Sequence, residues 1–231
     1  MSPEKNYYEV KGRIREICER IGRNPEEITL IAVSKTFPIS KILELNRTGQ
    51  IDFGENKVQE LRNKYNNINL HNGKINWHMI GHLQTNKVKE IIAFIHLIQS
   101  VDSLKLAKEI DVNGKKINRL INVLMQVNTS EEEQKHGVSI TDAKNLCWEI
   151  SQLANVKMKG LMTMAVLTED EELIRENFKA LKNLYDELKK DFKDFEYLSM
   201  GMTNDYEIAL EEGATMLRIG SAIFGERRTN L

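Results

Sequence analysis

Short apolar runs alternate with amphipathic stretches from one end of the chain to the other. The runs cover residues 28–34, 51–54, 77–81, 94–101, 120–127, 158–165, 197–202 and 215–219. Several lack the polar alternation of a strand with one wet face, which marks parallel strands buried on both sides. The run at 51–54 is too short to read as a strand in isolation. Between the runs the period changes to that of a helix: Ile174, Phe178, Leu181, Tyr185, Leu188 and Phe192 recur at spacings of four and three and form one apolar stripe. Thr168 and Glu171 precede that stripe with capping-box spacing. Asn204 or Asp205 can cap the last helix, Gly213 stands where a left-handed C-terminal cap belongs, and Pro38 suits a first helical turn.

Strands alternating with helices predict right-handed βαβ units and a parallel sheet. Eight such units, after an extra N-terminal helix around residues 7–21, predict an α/β fold of the (β/α)8 TIM-barrel type. An open doubly wound sheet is disfavoured, because no G-x-G-x-x-G follows the first strand. Only three prolines occur and no Pro/Gly-rich linker interrupts the pattern, so residues 1–231 are expected to form a single domain.

Composition narrows the function classes. With 41% apolar and 29% charged residues and a formal net charge of −1, the chain has no global field that would draw nucleic acid or an anionic membrane. No run approaches the length of a membrane span, and the charged N-terminal stretch lacks an apolar signal region, so the cytoplasm is the expected location. Cys18 and Cys147 form no CxxC pair, and no compact His, Cys or acidic cluster reads as a metal site. Cys147 and Trp148 are expected on the buried face of a helix, and the Met-rich runs as core.

In a barrel, chemistry gathers where strands end. Those ends offer Lys35, Gly54-Glu55-Asn56, His78 with Gly81-His82, Asp102, Asn128, Thr163, Ser199 to Thr203, and Arg218 to Ser221. A lysine held at a barrel mouth loses solvation and becomes a usable nucleophile toward aldehydes, although position alone fits a solvated lysine closing a strand better. The segment LRIGSAIFGER, in which Gly220 allows close backbone approach and Ser221 offers a hydroxyl, has the make-up of a phosphate cradle; glycine after a strand also simply makes a turn. Arg218 interrupts an apolar run, so it either pairs with an interior carboxylate such as Glu55 or serves as a fixed donor to a ring nitrogen or an anion. His78 and His82 have the i, i+4 spacing of a metal pair, but Gly81 and the strand pattern favour a hydrogen-bonded histidine at a strand end.

The segments AVSKT (32–36), FGENKVQE (53–60), WHMIGHLQTNK (77–87), KGLMTMA (159–165), SMGMTND (199–205) and RIGSAIFGER (218–227), in this order, resemble the YggS/PROSC-type pyridoxal phosphate homeostasis family over essentially the whole chain. The resemblance implies a fold-type-III barrel like the N-terminal domain of alanine racemase, with pyridoxal 5′-phosphate held as an aldimine on the first strand's lysine. It assigns that lysine to Lys35 and places Arg218 against the pyridine nitrogen. Ser199, Gly201, Gly220 and Ser221 fall at the phosphate, and Asn56 and His78 lie in motifs near the cofactor. Thr203 stands where serine is common in the family, which keeps the hydroxyl. The segment EEEQKHG (131–137) matches more loosely, with Lys135 and Gly137 retained.

An arginine at the ring nitrogen makes the cofactor a poorer electron sink than the aspartate of many enzymes. With Leu231 soon after the eighth strand, no second domain of the kind from which family racemases take a tyrosine in the partner subunit is expected. No second acid or base is evident beside Lys35. The leading expectation is therefore a monomeric, non-enzymatic carrier that buffers pyridoxal phosphate and hands it to apo-enzymes through transient contact, with no nucleic-acid or membrane partner. A weak amino-acid racemase or lyase is the alternative. A class I aldolase acting on a sugar phosphate fits the lysine and the cradle but not the arginine or the family motifs.

Overall fold

The computed structural model describes residues 2–68, 74–130 and 136–226. Among the described residues nine strands form one parallel sheet: β1 Thr29–Val33, β2 Asp52–Glu55, β3 Asn76–Met79, β4 Leu97–Val101, β5 Ile121–Asn128, β6 Val138–Ser139, β7 Val156–Met162, β8 Tyr197–Ser199 and β9 Met216–Ile219. Each of β1 to β5 pairs with the next in sequence, β5 pairs on to β7, and β9 returns to β1, so eight strands close into a barrel. The short run at 51–54 is a full member of that ring. β6 is an addition: two residues lying beside Val127 and Asn128 of β5, too short to leave a periodic trace in the sequence.

Strand pairing fixes which side chains face inward, because paired residues in parallel strands share a face. Ile31 is opposite Arg218, Gly54 opposite His78 and Met162 opposite Ser199. Ile31, Leu97, Leu124, Met162 and Met216 pack with Tyr197 into a small apolar plug inside the barrel, separate from the large core between strands and helices. Arg218, Ser199 and Gln99 each lie two residues past a plug residue on the same strand, which sets them on its C-terminal side. At Gly160 the backbone takes φ +143° with the carbonyl of Tyr197 against it, and a Cβ there would meet that oxygen at 1.9 Å. This close approach accompanies a shift of register between β5 and β7 and breaks the strict alternation of the run VKMKGLM.

Helices cover the outside: α1 Pro3–Arg20, α2 Ile39–Asn46, α3 Val58–Asn67, α4 Leu104–Lys116, α5 Ile140–Ser151, α6 Glu171–Leu188, α7 Tyr206–Glu211 and α8 Ser221–Phe224. A 3-10 helix, Thr85–Glu90, occupies the connection between β3 and β4. The extra helix α1 is longer than its apolar stripe indicates, because Ser2 caps it and Pro3 starts it. It is tied to α8 by Asn6 Nδ2 donating to the Ile223 carbonyl (2.9 Å) and to α7 by a bidentate pair from Arg13 to Glu207. Gly213, at φ +94°, closes α7 as expected.

Three local expectations are corrected. The cap of α6 is Asp170, whose carboxylate accepts from the amides of Glu172 and Leu173; Thr168 accepts from Asp170 itself, one step earlier, so no Thr168–Glu171 box forms. Trp148 is 50% exposed beside Phe192, while Ala143, Leu146, Cys147 and Ile150 make the buried face of α5. One residue's step turns a helical side chain by about 100°, so neighbours such as Cys147 and Trp148 diverge. Met162 and Met200 are core, as expected of the Met-rich runs, but Met164 is exposed.

Candidate cofactor-binding site

Lys35 continues the inward alternation of Ile31 and Val33 past the end of β1 and is half-buried. The chain on both sides of it is held by a buried ionic knot. Lys64 on α3 donates to the Ser34 carbonyl (2.8 Å), Glu55 Oε1 (2.7 Å) and Glu60 Oε1 (2.7 Å). Ser34 Oγ donates to Glu55 Oε1 (2.6 Å), and the amide of Thr36 donates to Glu60 Oε1 (2.6 Å). Thr36 has φ +71°, a left-handed conformation costing a β-branched residue roughly 1–2 kcal/mol, and the Glu60 bond holds it there. Burial pushes the Glu55 carboxyl above its usual range, against the pull of Lys64, and its Oε2 has no hydrogen-bond partner among the described residues.

This knot answers the open question about Arg218, whose partner is not Glu55. Arg218 is buried on β9, with Nη1 donating to Ser199 Oγ and Nη2 to the Thr163 carbonyl, both at 2.7 Å. It makes no ion pair among the described residues. Desolvation lowers its pKa to about 10, with the charge of Asp205 opposing, so it stays cationic at neutral pH. Ser199 is fully buried, and its hydroxyl donates to Gln99 Oε1 (2.7 Å). The structure thus gives Ser199 a different task from a hydroxyl offered at the mouth: it holds Arg218. His78, also buried, is deeper than its place in a strand-end motif suggested. Its Nε2 lies 3.0 Å from Asp52 Oδ1 and its Nδ1 3.2 Å from Gln99 Nε2. Although burial opposes it, bonds from His78 and Asn76 bring Asp52 below the usual carboxylate range.

The last two strand ends come together as expected. Ser221 Oγ and Thr203 Oγ1 are 3.2 Å apart, and the Ala222 amide reaches Thr203 Oγ1 at 3.4 Å. Gly220 runs so close to β1 that a Cβ would sit 3.3 Å from the Val33 carbonyl oxygen. Gly201 accepts the Arg218 amide through its carbonyl (3.0 Å), and a Cβ on it would press into Ala209. Asn56 follows β2 on the inward alternation of Asp52 and Gly54, half-buried, with its backbone against Gly81. Residues 131–135 of the loosely matching loop, Lys135 among them, lie outside the described residues, as does Arg227.

Folding assembles two donor groups that sequence spacing does not reveal: Asp52, His78 and His96, and His82, Asp102 and His136. In the first, both ring nitrogens of His78 already have protein partners. In the second, the rings of His82 and His136 stack at 4.2 Å and 12°, so their in-plane lone pairs do not converge. A groove of about 520 Å³ between α5 and α6, lined by Ile140, Lys144, Asn183 and Leu184, is on the outside of the barrel and shares no residue with this site.

Sequence reasoning missed Lys64, Glu60, Asp52 and Gln99. Lys64 had a trace: it falls three residues after Leu61 on the apolar face of α3, and four after Glu60. Gln99 is a polar residue inside the run 94–101, the same interruption that marked Arg218.

Residues 9–228 match the family model described as alanine racemase, N-terminal domain. A pyridoxal phosphate homeostasis protein of Aquifex aeolicus is 43% identical over 217 residues, covering 94% of each chain. A solved protein of unknown function from Bifidobacterium adolescentis superposes with a TM-score of 0.91 at 32% identity, covering 96% of this chain and 94% of that one. PipY of Synechococcus elongatus, solved with PLP bound, gives a TM-score of 0.80 at 32% identity, covering 92% of this chain and 100% of its own. With a closed racemase-type barrel, its first-strand lysine, and relatives matched along nearly their full length, this chain belongs to the pyridoxal phosphate homeostasis family.

Proposed function

We propose that this protein binds pyridoxal 5′-phosphate covalently through Lys35 and serves as a cytoplasmic carrier that buffers the cofactor and delivers it to apo-enzymes. The observation that carries this reading is the convergence of an inward-facing lysine, a buried cationic arginine and a hydroxyl-lined cradle at one end of the barrel. The donor set fits the group. Bound there, the cofactor supplies an aldehyde that forms a reversible carbon–nitrogen bond with an amine.

Each residue then has a task. Lys35 offers the amine, and its backbone is kept in place by the bonds to Ser34 and Thr36. Thr203, Ser221 and the amides after Gly220 receive the phosphate, where backbone N–H groups and hydroxyls suit a dianion. Asn56 borders the opening. Arg218, which can only donate, would meet the ring nitrogen of a bound cofactor and disfavour its protonation, so the site would favour holding the cofactor over stabilising a carbanion. The names of the relatives, and PLP in PipY, support the same reading. We further propose that the carrier is a monomer, that it meets its client enzymes only transiently, and that it takes no nucleic-acid partner.

Adding pyridoxal phosphate to the purified protein is expected to produce a visible absorption band distinct from that of the free aldehyde. Lys35→Ala is expected to remove it. A wild-type protein that stays spectrally unchanged would sink the proposal.

A further inference from the structure

Gln99 is the third residue of β4 and is fully buried inside the barrel. Its amide joins two halves of a hydrogen-bond chain that crosses the interior from β2 to β9. On one side Gln99 Nε2 meets His78 Nδ1 at 3.2 Å, and His78 Nε2 meets Asp52 Oδ1 at 3.0 Å. On the other, Gln99 Oε1 accepts from Ser199 Oγ at 2.7 Å, and Ser199 Oγ accepts from Arg218 Nη1 at 2.7 Å. Nε2 also lies 3.2 Å from Met216 Sδ.

The direction of every proton in this chain follows from its two ends. Arginine has no acceptor, so Ser199 must accept from Arg218 and is left to donate toward position 99. The atom of Gln99 that meets Ser199 is therefore its oxygen, and the amide nitrogen faces His78. Nδ1 of His78 must then accept, which places the ring's single proton on Nε2, aimed at Asp52. Asp52 needs a donor there, so the far end agrees. Glutamine satisfies both sides at position 99: it offers an acceptor at one corner and a donor at the other, with the reach to span from β3 to β8.

We infer that Gln99 is a positioning residue for Arg218, fixing the guanidinium through Ser199 and anchoring it to the Asp52–His78 pair across the barrel. This rests on the reading of Arg218 as the group that faces the cofactor ring. Among the described residues Arg218 has only neutral direct partners, Ser199 Oγ and the Thr163 carbonyl, so hydrogen bonds rather than an ion pair fix its place, and the one to Ser199 is the one that Gln99 sets. Loss of the Gln99 link frees the Ser199 hydroxyl to rotate and slackens that hold.

The test uses the full chain with pyridoxal phosphate as the probe. Gln99→Met keeps the bulk and removes both hydrogen bonds. It is expected to weaken cofactor binding roughly tenfold, the equivalent of about one charge-assisted hydrogen bond, and to shift the band of the bound cofactor in the direction that Arg218→Met shifts it. In the ligand-free wild type, nitrogen-15 NMR of His78 is expected to find the proton on Nε2. If Arg218→Met leaves the band where it was, the reading of Arg218 fails. If Arg218→Met moves the band but a folded Gln99→Met matches wild type in band and affinity, the positioning role is overturned and the reading of Arg218 stands. A proton on Nδ1 of His78 would also overturn it, and that measurement does not depend on any variant folding.

Discussion

Lys64 shows how much one buried charge can carry away from the reacting atoms. Its three hydrogen bonds serve two carboxylates and the carbonyl that precedes Lys35. Removing one partner of a buried pair typically costs about 3–5 kcal/mol, because the other charge is left unpaired. Lys64→Met is therefore expected to lower the urea-unfolding free energy by roughly that amount at neutral pH. Glu55 already has a folded pKa above its unfolded value, and the variant raises it further. Folding then takes up a proton, so the penalty grows as pH rises above the unfolded carboxylate range and shrinks as pH falls toward it. A deficit that does not change between pH 5 and pH 7 would contradict this account of Glu55. Lys35 itself was visible as the last residue of an apolar run. Its support was not, because Lys64 and Glu60 read as solvent-facing until the fold brings them against Glu55 and the Ser34 carbonyl.

At the scale of elements, the apolar runs located the eight barrel strands and the helical period located α6, and the failures of the pattern have local causes. The strand-like runs at 158–165 and 197–202 extend beyond β7 and β8, because their last residues turn away at the mouth to form the site. Capping is the other case. Thr168 and Glu171 have the right spacing, but Asp170 stands next to the helix and its carboxylate accepts from two amides at once. Asp170→Ala is expected to cost about 1 kcal/mol in stability, with Thr168→Ala costing clearly less, as measured by chemical denaturation. Equal losses would restore the capping box. The side chains in a knot or a relay come from several elements, so no single element's pattern can announce them; Asp52, His78, Gln99, Ser199 and Arg218 belong to five different strands.

For the whole molecule, barrel closure converts a list of strand ends into a site. Pairing of β9 with β1 sets Gly220 against Val33 and brings the proposed phosphate cradle beside Lys35's strand, although the two are separated by most of the chain. Plug residues fill the N-terminal part of the barrel, and the polar relay on top of them is satisfied end to end, with Arg218 as its last member. This opening is proposed to hold pyridoxal phosphate on one lysine, Lys35. Borohydride reduction of the loaded protein, followed by digestion and mass mapping, tests it most directly. The account predicts one phosphopyridoxyl group per chain, on the peptide containing Lys35. A modification spread over several exposed lysines, or its absence from Lys35, would contradict it.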